Sequence, residues 1–144
     1  MQYCGMTGAP RLQMEQTTQL AVFLSNQPGA LARVCEALAK ADINIHALAV
    51  ADTVDHAVVR MVVSDPTNAL MLLGERGVLA LECEVLMIES DNQPGTLARI
   101  ADKLSGAQVN IEYLYCATSI RSEKGLLVLR PSDVEKALRV LNEL

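Results

Sequence analysis

The segment Asn26-Gln27-Pro28-Gly29-Ala30-Leu31-Ala32-Arg33 returns sixty-six residues later as Asn92-Gln93-Pro94-Gly95-Thr96-Leu97-Ala98-Arg99. The match runs on through Leu38/Leu104, Ala41/Ala107, Asn44/Asn110 and Ile45/Ile111, so that eleven of the twenty positions from Asn26 to Ile45 are identical to their counterparts. Self-similarity at a fixed period marks a duplicated structural unit and must be settled before anything else is read. Before the turn, Leu20-Ala21-Val22-Phe23-Leu24 has the length and flanks of a buried strand. After it, Leu31, Val34, Cys35, Leu38 and Ala41 fall at helical spacing, as do Leu97, Ile100, Ala101, Leu104 and Ala107. Both copies therefore read strand, tight turn, amphipathic helix.

Further outward, residues 43–50 and 56–63 are β-branched-rich and joined across residues 52–55, which predicts a hairpin. Asp65-Pro66 then opens a helix to about Arg76, with Asp65 as N-cap, Pro66 at the first helical position and Gly77 as stop signal. Residues 78–89 form one extended run with no turn residue between the copies. In the second copy residues 109–119 and 126–129 supply the hairpin, and Ser132 and Glu135 have the spacing of a capping box. No sequence is left there for a last strand. The expected class is α+β: two ferredoxin-like units of order β-α-β-β-α-β in tandem, each an antiparallel sheet with helices on one face, the second lacking its final strand.

The expected domains are residues 1–18, a loosely ordered arm because of Gly5, Gly8 and Pro10, then unit one at 19–84 and unit two at 85–144. The missing strand would leave residues 85–90 as an open sheet edge. Two covers are expected: the arm, or, preferred, a second molecule in a two-fold homodimer.

The chain of 144 residues is 51% hydrophobic but only 3% aromatic, which removes the stacking platforms a single-stranded nucleic acid needs. A formal charge of −5 opposes a phosphate-backbone partner as well. Cys4, Cys35, Cys83 and Cys116 have no C-x-x-C pairing, and two lie on apolar stripes, as reduced, buried thiols of a cytoplasmic protein do. No secretory leader and no stretch approaching a membrane span is visible. Nucleophile-and-base orders, phosphate loops, dinucleotide fingerprints and metal-spaced clusters are absent too, so neither an enzyme nor a cofactor is expected. Glu82 and Glu84 alternate on one strand face and read as solvated, and His46 and His56 as structural.

The doubled Asn-x-Pro-Gly-x-Leu turn, followed after a helix by Ile/Val-Asn-Ile at the start of the next strand, resembles the ACT domain. That family supplies amino-acid-sensing regulatory units to aspartokinase, phosphoglycerate dehydrogenase and acetolactate synthase, and in layout this chain is similar to its stand-alone tandem members. The resemblance covers residues 19–143. It implies a small ligand, usually an amino acid, held between two ACT units by the turn and by the start of the second strand. On the first copy this set is Asn26, Gln27, Pro28, Gly29, Ala30, Leu31, Asn44 and Ile45; on the second it is Ser90, Asn92, Gln93, Pro94, Gly95, Thr96, Leu97, Asn110 and Ile111. In members like phosphoglycerate dehydrogenase, asparagines at the positions of Asn26/Asn92 and Asn44/Asn110 hold the effector. A histidine stands there where this chain has Leu24 and Ser90, so the serine-type ligand set does not carry over.

Elementary chemistry agrees with that placement. A turn feeding a helix presents free N–H groups and the positive end of the helix dipole, which suit a carboxylate. Glycine lets a ligand approach that backbone, and asparagine offers donor and acceptor together. The bland alternative is a helix-entry turn whose Asn bonds its own backbone. Arg33 and Arg99 read as helix-surface residues. The resulting expectation is a non-catalytic regulatory or sensor protein that binds a free amino acid. The alternatives are the regulatory small subunit of a separate biosynthetic enzyme, or an assembly scaffold with degenerate sites.

Overall fold

The computed structural model describes residues 12–52 and 54–144. It contains β1 (Gln13–Ser25), α1 (Ala30–Lys40), β2 (Ile45–Asp52), β3 (His56–Val63), α2 (Pro66–Glu75), β4 (Leu79–Asp91), α3 (Thr96–Gly106), β5 (Ile111–Ala117), β6 (Lys124–Pro131) and α4 (Val134–Leu141). Two compact units emerge, Thr17–Val85 on one hand and residues 12–16 with Leu86–Leu144 on the other. The class is α+β, because the strands pair antiparallel where an α/β chain would pair them parallel.

In the unit Thr17–Val85 the strands lie in the order β2-β3-β1-β4. β1 pairs antiparallel with β3, Leu20 opposite Met61 and Val22 opposite Val59, and all four of these side chains are buried. Strand periodicity puts Leu20, Val22 and Leu24 on one face, where they meet Val34 and Leu38 of α1 and Ala69 and Leu73 of α2. The buried stripe of α1 is Ala30, Val34, Ala37 and Leu38, rotated from the expected one, and Leu31 is only half-buried. Asp65 caps α2 by accepting from the Asn68 N–H at 3.1 Å, with Pro66 at the first helical position. Both apolar spacing and cap were legible because each is local.

The second unit repeats this with the order β1-β4-β6-β5. Leu86 lies opposite Leu129 and Ile88 opposite Leu127, over a core closed by Ile100, Leu104, Ala137 and Leu141. Leu97 is 41% exposed, so the stripe of α3 is Thr96, Ile100 and Leu104, again rotated from the expectation.

Three expectations are corrected. β1 begins at Gln13, so residues 13–18 are strand and not a loosely ordered arm; residues 1–11 lie outside the described residues. Leu12 and Met14 pack on the core of the second unit, where this short segment flanks β4 in place of the strand the second copy lacks. The edge at residues 85–90 is thus covered by the chain itself, and the edge argument for a dimer falls away. Second, α4 starts from Asp133, whose side chain accepts from the Lys136 N–H at 3.0 Å, and not from a Ser132/Glu135 box. Ser132 is occupied elsewhere, as described below. Third, Cys35 and Cys83 are half-buried and Cys116 is exposed, so none of these three thiols is a fully buried one.

Candidate functional site

Each copy builds its turn the same way. β1 ends at Ser25 and the chain reverses through Asn26 to Gly29, the N-cap of α1, at φ 85°. β4 ends at Asp91 and Gly95 caps α3 at φ 89°. Only glycine takes this left-handed conformation at no steric cost, which is the first reason for its presence in both turns. A Cβ on Gly29 would also come within 3.2 Å of Arg33 Nη1, whereas the space beside Gly95 is open.

Neither helix has a side-chain cap. The Ala30 and Thr96 N–H groups donate to the carbonyls of Gln27 and Gln93, each at 3.3 Å. Among the described residues the N–H groups of Leu31, Ala32, Leu97 and Ala98 have no acceptor, because a helix start has no preceding turn to bond. Among the described residues the N–H groups of Gly29 and Gly95 have no acceptor either, so of these helix-entry donors only those of Ala30 and Thr96 are engaged. Thr96 is 6% exposed, and its Oγ1 is buried without a hydrogen-bond partner. Ser90, at the end of β4, is 5% exposed. Their counterparts Leu24 and Ala30 are apolar, so the second turn alone carries buried hydroxyls.

The asparagines divide into two kinds. Asn26 donates its N–H to the Asp55 carbonyl at 3.3 Å, and Asn92 donates its own to Glu123 at 2.9 Å, each tying the turn to the neighbouring hairpin loop. The Asn92 side chain also donates Nδ2 to the Ser122 carbonyl at 2.9 Å and to Ser119 at 3.5 Å. Its Oδ1 keeps acceptor capacity. Asn44 and Asn110 sit where β2 and β5 begin. The Asn44 N–H donates to Ser64 Oγ at 2.9 Å while its carbonyl accepts from the Ser64 N–H at 2.9 Å. Asn110 and Ser132 exchange the same two bonds, at 3.0 and 2.9 Å. Both asparagine side chains are exposed. This serine clamp was missed from the sequence, although Ser64-Asp65 and Ser132-Asp133 recur as a dipeptide that signals it.

Within a unit the two kinds of asparagine do not converge: Asn26 bonds just before β3 and Asn44 just after it, as Asn92 and Asn110 do around β6. Eight residues of strand separate the two ends, about 25 Å. Ile45 is half-buried against the first core and Ile111 against the second. Ile111 and Asn110 also border a cavity of about 400 Å³ with Ser105 and Gln108. Among the described residues no group of three His, Cys, Asp or Glu could hold a metal, and no helix is long and apolar enough to cross a membrane.

The model of the ACT domain pair matches residues 15–144. A Bacteroides thetaiotaomicron protein of solved structure, BT0572, is 36% identical over 90% of this chain and 89% of its own, with a TM-score of 0.84. The ligand-free regulatory subunit of aspartate kinase from Thermus thermophilus is 22% identical, with 94% of this chain and 97% of that one covered and a TM-score of 0.71. Its Thermus flavus counterpart, also 22% identical with the same coverage, superposes with a TM-score of 0.64. No curated protein matches. With the family model spanning both copies of the repeat, the chain belongs to the ACT domain pair family.

Proposed function

We propose that this protein is a non-catalytic regulatory protein that binds a free amino acid and changes the state of a partner or of its own assembly. The observation that carries the reading is the uncapped helix start, built twice. Leu31 and Ala32, and Leu97 and Ala98, hold N–H groups without acceptors at the positive end of an eleven-residue helix. A carboxylate satisfies them, and an asparagine carbonyl beside the turn accepts from the ammonium. Because Asn26 and Asn44 lie at opposite ends of β3, a ligand that touches both kinds of asparagine must draw them from two ACT units, in this chain or in another. The fold shared with the aspartate kinase regulatory subunit supports a regulatory reading.

Ligand binding would stabilise the binding-competent state by RT ln(1 + [L]/Kd), about 2.7 kcal/mol at a hundredfold excess over Kd. A thermal-shift panel of the twenty amino acids tests this, with at least one expected to raise Tm. Calorimetry on Asn26→Ala, Asn44→Ala, Asn92→Ala and Asn110→Ala then locates the site. If every amino acid leaves Tm unchanged, the scaffold reading replaces this one; a larger enzyme co-purifying with the chain favours the small-subunit reading.

A further inference from the structure

In the unit Thr17–Val85 a cavity of about 360 Å³ opens between the start of α1 and the end of α2, within the size range of small-molecule sites. Leu24, Ala30, Val34, Leu73 and Val78 give it apolar walls. Arg33, in the first turn of α1, and Arg76, the C-cap of α2, also line it. No Asp or Glu does. Neither arginine has an ion-pair partner among the described residues, in a chain of net charge −5. Two guanidinium groups on one hollow favour an anion between them, and their planar forks match a carboxylate. With no acid in the lining, an ammonium finds no carboxylate there, only neutral acceptors such as the Ser25 hydroxyl beside two positive charges.

We propose that this cavity is a second ligand site, for a small aliphatic monocarboxylate that carries no amine. The carboxylate lies between Arg33 and Arg76, and the tail lies against Leu24, Val34, Leu73 and Val78. It adjoins the first turn, sharing Ala30 with the turn-and-strand set and holding Arg33 beside Gly29, but Arg76 and the walls from Leu73 and Val78 lie outside that set. It belongs to the first copy alone. In the register set by Ala69/Ala137 and Leu73/Leu141, Arg76 is matched by Leu144, while Leu24 and Ala30 are matched by Ser90 and Thr96. Of the two charges only Arg99 is kept.

The test is calorimetry on the full chain with 4-methylpentanoate, its neutral amide, leucine and inorganic phosphate. The acid is expected to bind about tenfold or more tightly than the amide, the difference of one charge-assisted contact. Arg33→Gln and Arg76→Gln should each weaken it to a similar degree, and Arg99→Gln should not. Both side chains are exposed, so the variants keep the fold, which circular dichroism checks. Equal binding of acid and amide, no binding of the acid, or equal loss in Arg99→Gln overturns the proposal. Phosphate binding more tightly than the acid overturns the apolar-tail assignment. Leucine retained by the Arg33→Gln/Arg76→Gln double variant belongs to the turns and leaves this site standing. Leucine lost with the acid shows a single amino-acid site and overturns it.

Discussion

Thr96 carries a buried side-chain oxygen without a hydrogen-bond partner. A buried hydroxyl without a partner costs about 1–3 kcal/mol, and a β-branched apolar replacement of nearly the same shape removes that cost. Thr96→Val is therefore expected to raise the unfolding free energy by about 1 kcal/mol in chemical denaturation. If the hydroxyl instead serves a ligand in the second turn, the same variant lowers amino-acid affinity while gaining stability, and calorimetry separates the two effects. Asn92 makes a second residue-scale contrast. Its Nδ2 group holds the loop before β6 through the Ser122 carbonyl, and no such bond fixes the side chain of Asn26 among the described residues. Asn92→Ala should cost about 1 kcal/mol and speed amide exchange across residues 118–123, whereas Asn26→Ala should cost less than half of that. Equal losses would show that the loop bond contributes nothing.

At the scale of elements, the termini of helices and strands decide more than their interiors. Asp133 accepts from the Lys136 N–H, and Glu135 makes no reciprocal bond, so Asp133→Ala should lower stability by about 1 kcal/mol while Glu135→Ala leaves the midpoint of a urea titration in place. A larger loss for Glu135→Ala would restore the capping box. The start of β1 has a comparable role for the sheet. Removing residues 1–16 would strip β4 of its neighbour in the second unit and expose the N–H and C=O groups of Leu86 to Ser90. Such a truncation is expected to lose amide protection along that stretch and to self-associate in sedimentation at micromolar concentration. A monomer with unchanged protection would mean that this edge is held by something other than β1. The segment escaped the sequence reading because only alternate residues of an edge strand face a core, and Gln13, Glu15 and Gln16 are exposed.

For the whole molecule, each compact unit follows one copy of the repeat, with residues 12–16 added to Leu86–Leu144. Each unit holds its own core, but the first residues of β1 belong with Leu86–Leu144, and the start of β4 belongs with Thr17–Val85. Cutting between Ala80 and Val85 breaks β4 in mid-strand, so limited proteolysis is expected to yield no pair of stable fragments there; two folded halves recovered from such a digest would contradict the assignment. The sequence by itself determined the duplication, through its own repetition, and the order of strand and helix and the Asp65 cap, because these depend on residues within a few positions of one another. It also marked both turns as candidate sites. Only the tertiary structure decided which atoms remain open in them. The Asn92 amide is taken by a loop about thirty residues away, Ser64 and Ser132 clamp the starts of β2 and β5, and Asn26 and Asn44 part to opposite ends of a strand. Hydrogen bonds that cross such spans depend on where the chain returns, and sheet register, set by burial of whole faces, fixes that return.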